Sequence, residues 1–194
     1  MKDEKEWFCD SIEKYQNSMY TLAIGILKNE DDAQDVIQET ILKAYSNLDS
    51  LRNKSKFKPW LMQILANTSY ELLRKRKPTS DIDEQWDLQE PEKEIDISTK
   101  LTLRETVDSL PILYRTVIIL FYYENMSVKE IAIITNTQPV TVRQQLLRAR
   151  KLLKERLSKE ILELWDILIR KYESTLMKIN LKCPIQLQKR FKTH

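Results

Sequence analysis

The chain has 194 residues, 42% apolar and 31% charged, with a formal charge of +3, one glycine (Gly25) and one histidine (His194). A glycine-rich phosphate loop needs several residues free to take φ > 0, and a terminal histidine suits neither a positioned base nor a metal site, so nucleotide-loop folds, histidine triads and most zinc chemistry are excluded. Scarce glycine also disfavours the tight turns of sheets, which points to an all-α fold.

No stretch approaches the roughly 20 apolar residues of a membrane helix, and Met1 to Glu6 lack the apolar core of a signal peptide. Cys9 and Cys183 are too few and too far apart for a disulfide framework, so two free thiols in a reducing cytoplasm are expected. The net charge hides a division. Residues 1–77 hold 13 basic and 12 acidic side chains, residues 78–98 hold 1 and 8, and residues 99–194 hold 18 and 9. A nearly neutral block, an acidic connector and a basic block suggest three parts with different partners.

In chain order, residues 4–77 carry helical apolar spacing. Asn29 is a good N-cap, and Glu30, Asp31 and Asp32 put negative charge where the helix dipole favours it. Val36, Ile37, Thr40, Ile41, Ala44 and Tyr45 form the buried stripe of that helix, leaving Asp32, Asp35, Gln38, Glu39 and Lys43 mostly on a polar face. A polar loop, 49–56, precedes a second helix from Phe57 to about Lys77. Pro59 fits its first turn, and Trp60, Leu61, Ile64, Leu65, Thr68, Leu72 and Leu73 form its stripe. It closes on Arg74-Lys75-Arg76-Lys77, which helix-end electrostatics and DNA contact explain equally well, and Pro78 stops it. Residues 78–98, with Pro78, Pro91 and the acids, read as an extended or disordered linker.

Helical spacing resumes over 101–109, and Pro111 opens a helix with an apolar run from Val117 to Tyr123. Ser127-Val128-Lys129-Glu130 is a capping box, with Met126 and Ile131 placed for a hydrophobic staple. The short helix it starts ends at Thr135-Asn136-Thr137, where Asn136 tolerates a left-handed conformation. Pro139 opens the next helix. Helix, short turn and helix make a helix-turn-helix. On the second helix, Val142, Leu146, Ala149 and Leu153 form a packing stripe. Thr141, Gln144, Gln145, Arg148 and Lys151 are placed opposite, flanked by Arg143 and Arg150. Amides with arginine are the chemistry that reads base edges, and the seven cations against one acid from Arg143 to Lys159 supply attraction to phosphates.

These residues resemble the sigma-70 family of bacterial RNA polymerase sigma factors, in its extracytoplasmic-function (ECF) class. Leu110-Pro111, Tyr114-Arg115, Val117-Ile118, Ser127 to Ala132, Thr141-Val142, Leu146 and Arg148-Ala149-Arg150 resemble region 4, the −35 reader. Asp32 to Glu39, Phe57, Trp60-Leu61, Ile64, Ala66-Asn67 and Leu73-Arg74-Lys75 resemble region 2, which docks on polymerase and opens the −10 element.

The resemblance implies two small helical domains, region 2 over 1–77 and region 4 over 99–158, joined by the acidic linker and followed by an extension over 159–194. It implies that Asp35, Gln38 and Glu39 face the clamp helices of the largest polymerase subunit. The 52–58 loop, with Lys56 and Lys58, and Asn67 would meet the −10 strand. Arg74, Lys75 and Arg76 would hold upstream phosphates. Thr141, Gln144, Gln145 and Arg148 would face the −35 groove, with Arg143, Arg150 and Lys151 on its phosphates, while region 4 meets the polymerase flap. An anti-sigma factor is a further implied partner. Asn136 stands where the family usually has glycine, and Gln144-Gln145 replaces a frequent serine-arginine pair. No catalytic residue, cofactor or small-molecule substrate is expected. The alternative reading is a stand-alone helix-turn-helix regulator. Beyond Leu157, helical spacing continues to about residue 180, which reads as a helix packed on region 4 or capping it, with a docking helix for a regulator or a membrane surface as the alternative.

Overall fold

The computed structural model describes residues 2–76 and 103–156, and every element among them is helical. The linker and the extension lie outside the described residues. The described residues form one compact unit.

Three long helices make the first half: α1 (Lys2–Leu27), α2 (Glu30–Ser46) and α3 (Phe57–Arg76), each packed on the other two. Asn29 caps α2 as expected, its side chain accepting from the Asp32 N–H at 2.9 Å. Val36, Thr40 and Ala44 are buried, against Met19, Leu22 and Ala23 of α1 and Leu61, Met62 and Leu65 of α3 in one core. Each large side chain in such a core contributes about 1.5–3 kcal/mol of transfer free energy. The 49–56 loop is more ordered than its polarity suggests. It holds two 3-10 turns, Leu48–Ser50 and Lys54–Lys56, the second capped by Asn53. Lys54 Nζ lies 4.4 Å from the centre of the Trp7 ring, which meets Phe57 edge-on, so the loop is fastened to the start of α1.

Asp32 corrects the expectation of an exposed polar face. It is 7% exposed and pairs through both oxygens with the guanidinium of Arg76, joining the start of α2 to the end of α3.

The second half comprises α4 (Leu103–Asp108), α5 (Ile112–Ile118), α6 (Val128–Ile134) and α7 (Pro139–Arg156). The run after α5 does not continue as an α-helix. Ile119–Tyr123 is a π-turn, closed by Glu124 N–H to Ile119 O (3.1 Å) and Met126 N–H to Leu120 O (3.0 Å), with Asn125 left-handed at φ 55°.

The helix-turn-helix is built as its punctuation requires. Ser127 Oγ accepts from the Glu130 N–H at 3.3 Å while the Glu130 carboxylate accepts from the Ser127 N–H at 3.0 Å. Met126 and Ile131 are both buried behind the cap. At the other end Asn136 takes φ 52°, and Asn136 N–H to Ile133 O with Thr137 N–H to Ala132 O complete a Schellman closure without glycine.

Burial pushes the Glu130 carboxyl up, but the Ser127 N–H and hydroxyl and the nearby Lys56 and Lys58 cations together hold it below its ordinary value. A depressed carboxyl stabilises the fold above its unfolded pKa, about 4.3 for Glu, and loses that contribution as pH falls through the lower folded value. Glu130→Gln should therefore lower stability at pH 7 and flatten the acid limb of urea-unfolding stability against pH. Ser127→Ala should cost about 1 kcal/mol at pH 7.

Candidate nucleic-acid and polymerase interfaces

On α7, Val142, Leu146, Ala149 and Leu153 are buried, as their spacing predicts. Arg143, Gln144, Arg148 and Lys151 are exposed, and Thr141 is half-buried. Gln145 is not on this face. It is 6% exposed, and its Oε1 has no hydrogen-bond partner. At 100° per residue Gln145 lies only about 70° from the centre of the packing stripe, within the breadth a neighbouring helix covers. Arg150 is half-buried and committed to its own half: its Nε donates to the Tyr122 hydroxyl at 2.8 Å and its guanidinium lies 5.8 and 5.7 Å from the Phe121 and Tyr122 ring centres.

The exposed face holds two residues that sequence reading missed. Val140 and Leu147 are 55% and 68% exposed. With Gln144 and Lys151 they span about 60° of the helix, so a small apolar surface sits beside the amide. Apolar side chains are the chemistry that suits a thymine methyl. The signal was available: Leu147 falls four residues after Arg143, off the packing stripe.

In the first half, Asp35, Gln38 and Glu39 are exposed on α2. Leu42, 69% exposed, and Tyr45, 50% exposed, share their face. An apolar centre rimmed by carboxylates fits a helical partner with basic flanks. Glu39 also pairs with Lys43 at 2.8 Å, and Lys43 reaches Glu71 of α3 at 3.3 Å, so this edge is braced across two helices.

Asn67 is exposed rather than a buried amide. It lines an open groove of about 450 Å³ with Lys43, Asn47, Ser50, Trp60, Ile64, Thr68 and Glu71. Trp60 is half-buried, partly core and partly groove wall. Lys56 is exposed and lies 3.9 Å from Glu130. Lys58 is paired with Glu124 at 2.9 Å. Of the basic run ending α3, Arg74 is exposed, Lys75 pairs with Glu71 at 3.0 Å, and Arg76 is held by Asp32. The first two remain available to phosphates, because an exposed pair is weak. Arg76 arrives already neutralised.

The all-helical fold, with a helix-turn-helix after a three-helix half, is that of a family that comparison with known proteins identifies. The family model described as Sigma-70 region 2 matches residues 11–79, and that for Sigma-70, region 4 matches residues 100–153. RNA polymerase sigma factor SigV of Bacillus subtilis (strain 168) is 37% identical over 149 residues, covering 77% of this chain and 90% of that one. ECF sigma factor SigW of the same organism is 31% identical over 172 residues, covering 80% and 91%. Among solved structures, RpoE of Bartonella quintana in complex with the anti-sigma factor NepR shares the fold (TM-score 0.60, 24% identity, covering 76% of this chain and 94% of that one). So does CnrH in complex with the cytosolic domain of CnrY (TM-score 0.57, 22% identity, covering 78% and 87%).

The chain belongs to the sigma-70 family of RNA polymerase sigma factors, in the ECF class. It binds core polymerase and directs it to promoter DNA. No helix among the described residues is long and apolar enough to cross a membrane.

The unpartnered amide oxygen of Gln145 gives a test. A buried polar atom without a partner costs about 1–3 kcal/mol. Gln145→Leu should raise the urea midpoint and leave the −35 base preference unchanged in a binding competition.

Proposed function

We propose that Thr141, Gln144 and Arg148 read the −35 major groove and that Arg143 and Lys151 hold its phosphates. The observation that carries this assignment is the exposure of these five side chains, wholly or in part, on one side of a sharply capped helix whose other side is core. Val140 and Leu147 extend the reading surface. Gln145 and Arg150 act from behind, as packing and as an aromatic-held brace.

In region 2, the exposed Asp35, Gln38 and Glu39 with Leu42 dock on the polymerase clamp. Lys56, Lys58 and Asn67 meet the −10 strand, Asn67 from the open groove that it lines with Trp60. Arg74 and Lys75 hold upstream phosphates. The protein works through binding energy alone, in the cytoplasm where polymerase is, and takes no cofactor. The two solved relatives held by other proteins support an anti-sigma partner for this chain as well. A stand-alone regulator would not need a region 2 face of this kind.

The decisive experiment adds the purified chain to sigma-free core polymerase and maps transcript 5′ ends on genomic DNA. New starts sharing −35 and −10 sequences are expected, and no new starts with no core binding would refute the reading. Gln144→Ala and Arg148→Ala should each cost about 1–3 kcal/mol on the preferred −35 sequence and relax specificity there. Equal loss on every sequence would assign them to phosphates. Asp35→Lys should weaken core binding in a pull-down while leaving duplex binding by region 4 intact.

A further inference from the structure

Lys54 is a cation held in place without being neutralised. The backbone under it is shaped by the 3-10 turn Lys54–Lys56, in which Asn53 Oδ1 accepts from the Ser55 N–H at 2.9 Å and the Phe57 N–H donates to Lys54 O. The far end of the side chain is placed as well, with Nζ 4.4 Å from the centre of the Trp7 ring. Among the described residues no carboxylate pairs with Lys54, whereas Lys56 and Lys58 face Glu130 and Glu124 at 3.9 and 2.9 Å. A carboxylate cancels a lysine's charge. The face of an indole attracts the ammonium through its quadrupole and leaves the charge whole.

Trp7 is itself fixed from beneath. Its ring is half-buried and meets the Phe57 ring edge-on at 5.1 Å. Phe57 is 2% exposed and opens α3. It also lies against Phe8 and Tyr15 of α1 and against Trp60, with ring centres 5.9, 6.1 and 5.8 Å away. This aromatic group ties α1 to the start of α3, and Lys54 is exposed at its outer edge.

An exposed lysine gives up rotamer freedom when it pairs with a phosphate. Placed over Trp7, Lys54 has given up part of that freedom before a strand arrives, and its charge is intact when one does. Preorganisation of this kind strengthens binding without adding a contact.

We propose that Lys54 is a further phosphate contact for the −10 strand and that Trp7 is the residue that positions it. Trp7 touches no nucleotide. It holds the ammonium beside the 52–58 loop, where Nζ donates to a phosphate oxygen on the side away from the ring. The proposal rests on the assignment of this loop, through Lys56, to the −10 strand.

The test uses holoenzyme assembled from the full chain and core polymerase. Its affinity for a dye-labelled non-template strand carrying the −10 sequence of its mapped starts is measured over a range of salt. Lys54→Gln should weaken binding and reduce the salt slope by about 0.7, the share of one phosphate contact on a single strand. Trp7→Leu keeps apolar bulk but removes the π face. It should weaken binding about two- to fivefold with the slope unchanged, because the charge is still present. Trp7→Phe should restore part of that loss. The two residues serve one contact, so Trp7→Leu should cost nothing further in the Lys54→Gln background. A wild-type slope in Lys54→Gln overturns the phosphate contact. A Trp7→Leu loss that persists in full in the Lys54→Gln background, or that follows a matching fall in core affinity, makes Trp7 a packing residue and overturns its positioning role. So does wild-type binding by a folded Trp7→Leu. If Trp7→Leu loses helicity by circular dichroism, Trp7→Phe decides through the same cycle, since a phenyl face holds a cation less well than an indole. If Lys56→Ala also leaves the strand affinity unweakened, the assignment of the loop fails as well.

Discussion

The Arg115 guanidinium organises the described unit. The last carbonyls of α1 have no partner within their own helix. The Ile24 carbonyl is taken by the Lys28 N–H, and those of Gly25 and Ile26 by Arg115. From its other edge the same guanidinium donates to Asp108 O and Leu110 O, at 3.1 and 2.7 Å. One side chain thus closes the end of a helix in region 2 and the α4–α5 corner in region 4. Its burial lowers its pKa, with the Asp108 and Tyr70 charges working the other way. A buried cation is tolerable here because four carbonyls, two at the negative end of a helix, replace its water. Lys28, at the same helix end, is likewise lowered by burial and then by the Arg115 charge.

Around that centre the two halves use different means of order. Region 2 relies on long helices, an apolar core and two cross-braces between α2 and α3, Asp32–Arg76 and Glu39–Lys43–Glu71. In region 4 the helices α4, α5 and α6 are short, 6, 7 and 7 residues, and marginal alone. It compensates with terminal chemistry: the Ser127–Glu130 box, the Schellman closure at Asn136, and Arg156 donating to the Ser109 carbonyl and hydroxyl at 3.2 and 2.9 Å. The helix α7 is therefore aimed by its neighbours' ends.

Local features were legible in the sequence because they depend on local chemistry. Asn29, the capping box, Asn136 and the α7 stripe are each settled within about four residues. What was not legible involves partners far along the chain. Asp32 reads as solvated until Arg76 folds back on it. Gln145 reads as exposed unless the breadth of the covering helix is known. The change to a π-turn at Ile119 leaves no mark in an unbroken apolar run. Lys56 and Lys58 read as free cations, yet their counter-charges lie on the other half. Gly25 reads as a mere scarcity of glycine, and only the fold shows that a Cβ there would meet the Cδ1 methyl of Ile119.

The contact between the halves joins two parts of a single polypeptide. The partners of that contact act at an effective concentration set by their tether, commonly millimolar, so it forms alike in dilute and in crowded protein, and a substitution at Arg115 is felt in both halves at once.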